Sequence, residues 1–214
     1  MAKPNYIAIE GVIGAGKTTL AKALSQRFNG RLVLERFDEN PFLSDFYKNP
    51  VQNAFTTQIF FLLSRYKQLS QLHNYDLFHE TIVTDYIFEK DRIFANINLS
   101  ELEMRLYDEV ERHLASEIPH PNLVVYLQTD PSTLMRRIRK RARPYEKKIP
   151  EKYIENLSEA YEHFFFHYTE SPLLVINTDR LDLENDAVIE DLFQRLGRTV
   201  IGTEFYNPDA MLWG

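Results

Sequence analysis

The 214-residue sequence contains no cysteine and no apolar run that approaches the 18 residues needed to cross a membrane. The lack of cysteine excludes disulfide bonds and thiolate metal sites, which suits a reducing cytoplasm. Residues 1–5 lead directly into an apolar run and lack the apolar segment of a signal peptide. We therefore expect a cytoplasmic protein that has no membrane partner.

An excess of positive charge is also missing. The chain has 25 Lys and Arg against 31 Asp and Glu, a formal net charge of −6. This balance disfavours nucleic acid as a general partner, although local basic clusters can still bind phosphate. The apolar fraction of 44% and the charged fraction of 26% are ordinary for a globular protein. The length predicts a single domain over residues 1–214, with room for a small mobile segment.

A phosphate-binding loop is the strongest motif in the chain. Residues 11–18 read Gly-Val-Ile-Gly-Ala-Gly-Lys-Thr, which matches Gly, four residues and Gly-Lys-Ser/Thr. An apolar run at residues 6–9 predicts a strand before the loop, and apolar side chains at helical spacing follow it: Leu20, Leu24 and Phe28. In this context glycines let backbone N–H groups approach phosphate. Lys17 is expected to contact the β and γ phosphates of a nucleotide, and Thr18 to bind Mg²⁺.

Further apolar runs predict four more strands, at residues 32–34, 81–84, 123–127 and 173–176. Helical patterns alternate with them: a long helix at 51–73, one after the capping box of Ser100 and Glu103, one capped by Asp130 with Pro131 at its first position, and one at 187–196 that Gly197 ends. This alternation predicts an α/β fold with a doubly wound, five-stranded parallel sheet flanked by helices. Ligands of such sheets bind beyond the carboxyl ends of the strands. The tail after Thr199 shows no interpretable pattern.

Acidic residues follow two of the predicted strands. Glu35 comes after the second strand and Asp85 after the third, so both are expected near the phosphate-binding loop. Phosphoryl transfer requires a clamp for the donor, a metal ligand and usually a group that accepts the proton of the acceptor hydroxyl. Lys17, Glu35 and Asp85 are therefore candidate catalytic residues, and Asp85 is also a candidate Mg²⁺ ligand.

Eight basic residues lie within thirteen positions: Arg136, Arg137, Arg139, Lys140, Arg141, Arg143, Lys147 and Lys148. The run begins on a predicted helix, where residues 137 and 141 share a face, and Pro144 breaks it into a flexible segment. This pattern predicts a basic lid at about residues 139–150, whose arginines neutralise charge on the transferred phosphoryl group and exclude water. A solvated basic helix or a nucleic-acid patch is the alternative.

Taken in order, these residues resemble the deoxyribonucleoside kinases related to deoxycytidine, deoxyguanosine and deoxyadenosine kinases, from Ile7 to about Phe165. The resemblance depends on the following positions: the loop at 11–19; Glu35 with Glu39-Asn40-Pro41; Tyr47; Gln58; Ser64-Arg65; Asp85; Asp91-Arg92-Ile93-Phe94-Ala95; and 137–143 with Glu146 and Ile149.

The resemblance implies transfer of the γ-phosphate of ATP to the 5′-hydroxyl of a deoxynucleoside, with Mg²⁺, in a typically dimeric salvage enzyme. It implies that Glu35 is the general base, with Asp85 as the alternative, and that Tyr47 and Glu146 hold the 3′-hydroxyl. Gln58, Arg65 and Asp91 would contact the base. The implied ATP-binding residues are Gly11, Gly14, Ala15, Gly16, Lys17, Thr18, Thr19, Arg137, Arg141 and Arg143, of which Arg137 would also be catalytic.

The chain departs from this family after the third strand. The family usually has an acid followed by Arg-Ser, whereas this chain has Asp85-Tyr86-Ile87. The missing arginine would contact the acceptor's carboxylate and the phosphoryl group. A bacterial branch close to deoxyguanosine kinase resembles this chain in having Asp-Tyr there, so we count Tyr86 among the substrate-site residues. Arg36 or an arginine of the lid is the expected substitute.

The resemblance also suggests a base preference. Asp91, if kept ionised by Arg65, only accepts hydrogen bonds, so purine deoxynucleosides are expected first, deoxycytidine next and thymidine last.

A nucleoside monophosphate kinase such as thymidylate kinase is an alternative, but it needs a basic pocket for the acceptor phosphate. A GTPase-like switch is another, although Asn177-Thr178-Asp179 lacks the lysine of the guanine signature. A non-catalytic nucleotide-binding regulator would keep the loop without the acceptor site.

Overall fold

The computed structural model describes residues 4–73, 81–144, 146 and 149–206. Their strands form one parallel sheet in the order β2-β3-β1-β4-β5-β6. The strands are β1 (Tyr6–Gly11), β2 (Arg31–Val33), β3 (Ile82–Thr84), β4 (Leu123–Gln128), β5 (Leu173–Asn177) and β6 (Thr203–Tyr206). The predicted α/β fold with a doubly wound parallel sheet is therefore confirmed.

Eight α-helices connect and flank the strands of the described chain. They are α1 (Lys17–Phe28), α2 (Leu43–Phe46), α3 (Pro50–Leu69), α4 (Lys90–Asn98), α5 (Glu101–Ala115), α6 (Pro131–Arg141), α7 (Glu151–Phe166) and α8 (Asp186–Leu196). Short 3₁₀ turns cover Phe37–Glu39 and Ser70–His73. In the residues the structure describes, no helix is both long and apolar enough to cross a membrane.

The sheet has six strands, so the prediction of five was wrong. The strand that was missed, β6, lies in the tail after Thr199. Among the described strands it pairs with β5 alone, at the edge of the sheet, and Tyr206 is its one buried residue. An edge strand with one neighbour does not need a continuous apolar run, which is why the sequence pattern is weak there.

The predicted helix starts are largely confirmed. Ser100 and Glu103 form the reciprocal capping box at α5, and Pro131 is the first residue of α6 after the N-cap Asp130. The predicted helix at 51–73 is α3 followed by a 3₁₀ turn. By contrast, α4 was not predicted.

The core forms around the central strand. All six residues of β1 are buried, and β4 beside it is buried except at its last residue. Such burial on both faces explains why these strands are continuous apolar runs. Helix α1 packs against α8, whereas α4 packs against both α3 and α7. The carboxyl ends of β1, β2 and β3 therefore meet beside the N-termini of α1 and α4.

Candidate active site

The phosphate-binding loop joins β1 to α1 in a conformation that requires glycine. Gly14 and Gly16 have φ angles of 93° and 106°, in the region that L side chains rarely adopt. A Cβ at Gly16 would also lie 2.7 Å from Leu183 Cδ1. Helix α1 begins directly after this residue, so its N-terminal N–H groups face the space above the loop.

Lys17 folds back over this loop. Its Nζ donates to the carbonyl oxygens of Gly11 at 2.7 Å and Val12 at 3.2 Å. Burial, and then the positive charge of Lys90, lower the pKa of Lys17 from 10.5 to about 8. A bound phosphate would favour the charged form of this ammonium group.

The two predicted acids meet the loop as expected from the sheet. Asp85 accepts from the Thr18 hydroxyl at Oδ2 (2.6 Å) and from the Glu35 backbone N–H at Oδ1 (2.8 Å). The hydroxyl of Thr18 and the carboxylate of Asp85 are oxygen ligands of the kind that Mg²⁺ prefers. The described residues contain no cluster of three or more His, Asp or Glu that could hold a metal. A cation here would therefore take its other ligands from phosphate and water.

Glu35 is held by two cations, one on each oxygen. Arg65 of α3 donates to Oε1 from Nε at 2.8 Å and from NH2 at 2.6 Å. Lys90, the first residue of α4, donates to Oε2 at 2.8 Å. Burial alone would raise the pKa of Glu35, but the charges and hydrogen bonds of Lys90 and Arg65 outweigh it and hold that pKa well below the usual range.

Asp91 lies behind the cavity that Glu35 faces. It is 1% exposed, and its Oδ2 accepts from Arg65 NH1. Gln58 Nε2 donates to Asp91 Oδ1 at 2.6 Å and to the Asp91 carbonyl oxygen at 2.8 Å. Because both amide protons of Gln58 are used in this way, its Oε1 is the atom left to accept from a ligand. Gln58 and Arg65 line the cavity, and Asp91 orients them.

Two pockets meet at the loop. The more enclosed of the two, called the enclosed cavity, is lined by Glu35, Gln58, Arg65, Asp85, Lys90, Arg143 and Glu146, with the rings of Phe37, Phe61, Phe94 and Tyr153 among its walls. The other, called the open pocket, is lined by residues 14–19, Arg137, Lys140, Arg141 and the 181–184 segment. Both are lined by Gly14, Lys17, Thr18 and Arg141. The loop thus lies between the two pockets.

The basic segment contributes to both spaces. Arg137 NH1 donates to the carbonyl oxygen of Ala15 at 3.2 Å and to Thr178 Oγ1 at 3.1 Å, while burial lowers its pKa. Arg141 donates to Glu146 from Nε at 3.1 Å and from NH2 at 2.6 Å. Arg143 donates to Glu146 at 3.4 Å. Residues 145, 147 and 148 of the predicted lid lie outside the described residues.

Besides Asp91, three further residues singled out in the sequence are not part of the lining of the enclosed cavity. Tyr47 packs edge-on against the ring of Phe46, with the centroids 5.3 Å apart. Tyr86 is fully buried, and its hydroxyl donates to Gln68 Oε1 at 3.2 Å. Arg36 is exposed and pairs with Glu39 at 3.4 Å, so it does not take the place of the missing arginine beside Glu35. None of the three lines the enclosed cavity.

Several residues at the site were not found from the sequence. Lys90 left no signal, because it lies in a helix that was not predicted. Glu10 could have been found, because an acidic residue within an otherwise apolar strand is a recognisable pattern. It is fully buried and accepts from the N–H groups of Gly11 and Ile87 and from the Tyr161 hydroxyl. The 181–184 segment, which lines the open pocket, follows β5 and also left no pattern.

The chain is similar to known proteins in sequence and in fold. The family model "Deoxynucleoside kinase" matches residues 7–201. Deoxyguanosine kinase of Bacillus subtilis is 38% identical over 197 residues, covering 91% of this chain and 95% of that protein. Deoxyadenosine/deoxycytidine kinase of the same organism is 27% identical over 206 residues, covering 92% and 94%. The structure of deoxyadenosine kinase from M. mycoides with bound dATP superposes with a TM-score of 0.77 at 30% identity, covering 90% of this chain and 99% of that one.

Proposed function

Since the chain belongs to the deoxynucleoside kinase family, we propose that it transfers the γ-phosphoryl group of ATP to the 5′-hydroxyl of purine deoxynucleosides. The observation that supports this most directly is the pair of pockets that share Lys17 and Thr18. In-line phosphoryl transfer places the attacking and leaving oxygens on opposite sides of the transferred phosphorus, so donor and acceptor must meet at one phosphate-binding group. The open pocket would hold ATP, and the enclosed cavity the nucleoside.

The enclosed cavity suits an uncharged nucleoside. Phe61 and Phe94 offer aromatic walls on which a base can stack. Gln58 and Arg65 offer polar atoms at that end, and Glu146 would bond the 3′-hydroxyl. Tyr47 remains a predicted partner of that hydroxyl, although it packs outside the cavity lining.

The base preference is supported by the orientation of Gln58. Its Oε1 accepts from no described residue and so needs a donor from the base: adenine and cytosine offer an amino group, guanine a ring N–H and an amino group, and thymine a ring N–H alone. Thymine has the O4 carbonyl where adenine and cytosine have the amino group, and placing that carbonyl against Oε1 leaves a buried acceptor unpaired at a cost of about 1–3 kcal/mol, roughly tenfold to a hundredfold in specificity. Preference for purines over cytosine is supported by the relatives named deoxyguanosine and deoxyadenosine kinase.

At the donor side, Lys17 and Arg137 would neutralise the charge that develops on the phosphates. Thr18 and Asp85 would hold Mg²⁺, which when bound supplies positive charge to the β and γ oxygens. The proton of the 5′-hydroxyl would pass to Glu35 or Asp85, the two carboxylates at this end of the sheet. Closure of the lid over ATP would exclude water from the phosphoryl group.

We also propose that the enzyme is a cytoplasmic homodimer. ATP as the donor supports an intracellular location. A dimer is supported by leucine side chains that are exposed on the neighbouring helices α3 and α5, since large exposed apolar side chains of this kind mark interaction surfaces. Their exposed fractions are 47% for Leu63, 73% for Leu102 and 55% for Leu106.

The test is a panel of eight nucleosides, four ribo and four deoxy, with ATP and Mg²⁺, together with thymidine monophosphate as a phosphorylated acceptor. We expect phosphorylation of the purine deoxynucleosides and loss of it in Lys17→Ala. Lys22→Ala, which removes an exposed lysine from the same helix, is the matched control. Turnover of the monophosphate alone, or none in the wild type, would refute the proposal.

A further inference from the structure

Lys90 is a buried lysine at the phosphate end of the enclosed cavity. Its residue is 3% exposed, and Nζ lies 2.8 Å from Glu35 Oε2 and 4.0 Å from Glu10 Oε1. The ring of Phe94 lies 5.9 Å from the ammonium group on another side. Burial of an ammonium group is costly and is sustained only by close negative partners. The carboxylates of Glu35 and Glu10, near the ends of β2 and β1, therefore stabilise the buried charge of Lys90.

The ammonium group of Lys90 has spare hydrogen-bonding capacity. It has three protons, and Glu35 is its one hydrogen-bond acceptor among the described residues. Glu10 is too far for a hydrogen bond, and both its oxygens already accept from other donors. Since Lys90 lines the same cavity as Lys17 and Thr18, its remaining protons can reach a ligand there.

The neighbouring cations are more fully committed. Each of the three guanidinium nitrogens of Arg65 already donates to a carboxylate, on Glu35 or Asp91. Lys17 uses two of its protons on carbonyl oxygens of the loop. Arg141 and Arg143 both pair with Glu146.

We propose that Lys90 is a catalytic residue of phosphoryl transfer, which holds Oε2 of Glu35 and donates its remaining protons to oxygens of the transferred phosphoryl group. This rests on the proposed kinase function. The 5′-hydroxyl oxygen forms a bond to the γ phosphorus while the bond to the bridging oxygen breaks and ADP leaves with its electron pair. The hydroxyl proton goes to a site carboxylate, and Lys90 keeps its own protons throughout. Lys90 would thus supply the positive charge that the family's usual arginine provides and that Tyr86, which is buried and neutral, does not.

The absence of cysteine makes a clean test possible. Lys90→Cys introduces a single thiol, which can be alkylated in the unfolded chain before refolding. Bromoethylamine yields a side chain of lysine's length with an ammonium group, and bromoethanol one of the same length with a neutral hydroxyl. Wild type taken through both treatments controls for refolding. Lys67→Cys, at an exposed position of α3, controls for the modification itself.

We expect the hydroxyethyl form to lose about 10²- to 10³-fold in kcat, the range for removal of one transition-state donor. The KM values for nucleoside and ATP should stay within about threefold, because Lys90 acts on the arriving phosphoryl group. The aminoethyl form should return to within about tenfold of wild type, since it restores the charge. Lys90→Met, prepared without denaturation, should match the hydroxyethyl form in kcat and bind a non-hydrolysable ATP analogue as wild type does.

Equal kcat values for the aminoethyl and hydroxyethyl forms would overturn the assignment of Lys90, as would a Lys90→Met enzyme with kcat within about threefold of wild type. A wild type that phosphorylates no nucleoside would instead refute the proposed function.

Discussion

At the scale of single residues, Glu35 presents an unusual candidate for a base. Its two oxygens are bonded to Arg65 and Lys90, and these cations hold its pKa well below the usual range. A carboxylate stabilised in this way has little affinity for a proton while both cations stay in place. If Lys90 shifts towards a phosphoryl group, it stabilises the charged form of Glu35 less. Glu35 then accepts a proton more readily.

Replacement of Glu35 by Gln tests this role. The amide keeps the size of the side chain but cannot accept the proton, and only its oxygen can still accept from Arg65 or Lys90, so kcat should fall by about 10²- to 10⁴-fold with nucleoside KM little changed. Steady-state kinetics on Glu35→Gln, with Asp85→Asn in parallel, provide the measurement. A loss confined to KM in Glu35→Gln would show that Glu35 only positions the sugar, and the base would then be Asp85.

The orientation of Gln58 by Asp91 leads to a second prediction. In Asp91→Ala, Gln58 loses the carboxylate that binds its amide protons and can rotate to donate to a carbonyl. The ratio of thymidine to deoxyadenosine kcat/KM should therefore rise by about tenfold to a hundredfold. Asp108→Ala, which removes a half-buried acid from α5 outside the cavity, is a suitable control. An unchanged ratio would mean that Asp91 has no part in base selection.

The lowered pKa of Lys17 predicts proton uptake on nucleotide binding. Above its pKa of about 8 the lysine of the free protein is mostly neutral, whereas bound phosphates favour the ammonium form. Binding of a non-hydrolysable ATP analogue at about pH 9 should therefore take up protons, and binding at about pH 6.5 should not involve Lys17. Calorimetric titrations in two buffers of different ionisation enthalpy measure this uptake. Equal uptake in Lys17→Arg would assign it to another group.

At the scale of elements, α6 couples the two pockets. It positions Arg137 on the carbonyl of Ala15 and ends at Arg141, after which Ala142 adopts a left-handed conformation with φ 55°. Arg141 before this turn and Arg143 after it both bind Glu146, a residue that lines the enclosed cavity. A phosphate that attracts these arginines would therefore also release Glu146 towards the sugar.

This connection predicts a lid that responds to the donor. Amide hydrogen exchange over residues 139–150 should slow when an ATP analogue binds, since guanidinium groups then make charge-assisted bonds to phosphate. The exposed helix α5 provides an internal reference whose exchange should not change. Equal protection with and without the analogue would mean that this segment is an ordinary solvated basic surface.

At the scale of the whole molecule, the exposed leucines of α3 and α5 predict a homodimer. Leu102→Glu with Leu106→Glu should convert a dimer to monomers, because each change places a charge in an apolar interface. Sedimentation velocity compares these variants with wild type, and Ile201→Glu, at an exposed apolar position near β6, is the control. A monomeric wild type would contradict the prediction.

Patterns that depend on neighbours in the chain were predictable. Local spacing predicted the loop at residues 11–18, the capping box at Ser100 and five of the six strands. These features depend mainly on residues that are adjacent in the chain. The resemblance to deoxynucleoside kinases, confirmed by the family match, likewise came from motifs in order along the chain.

What the sequence by itself determined is therefore the class of sheet, the loop and the acids at the strand ends. Only the tertiary structure decided which groups those acids meet. Lys90 reaches Glu35 across 55 positions, and Gln58 reaches Asp91 across 33. Such contacts depend on how α3 and α4 approach the sheet, and that approach is decided by packing of many distant side chains. A lysine at a helix start has no local mark that distinguishes a solvated charge from a buried one.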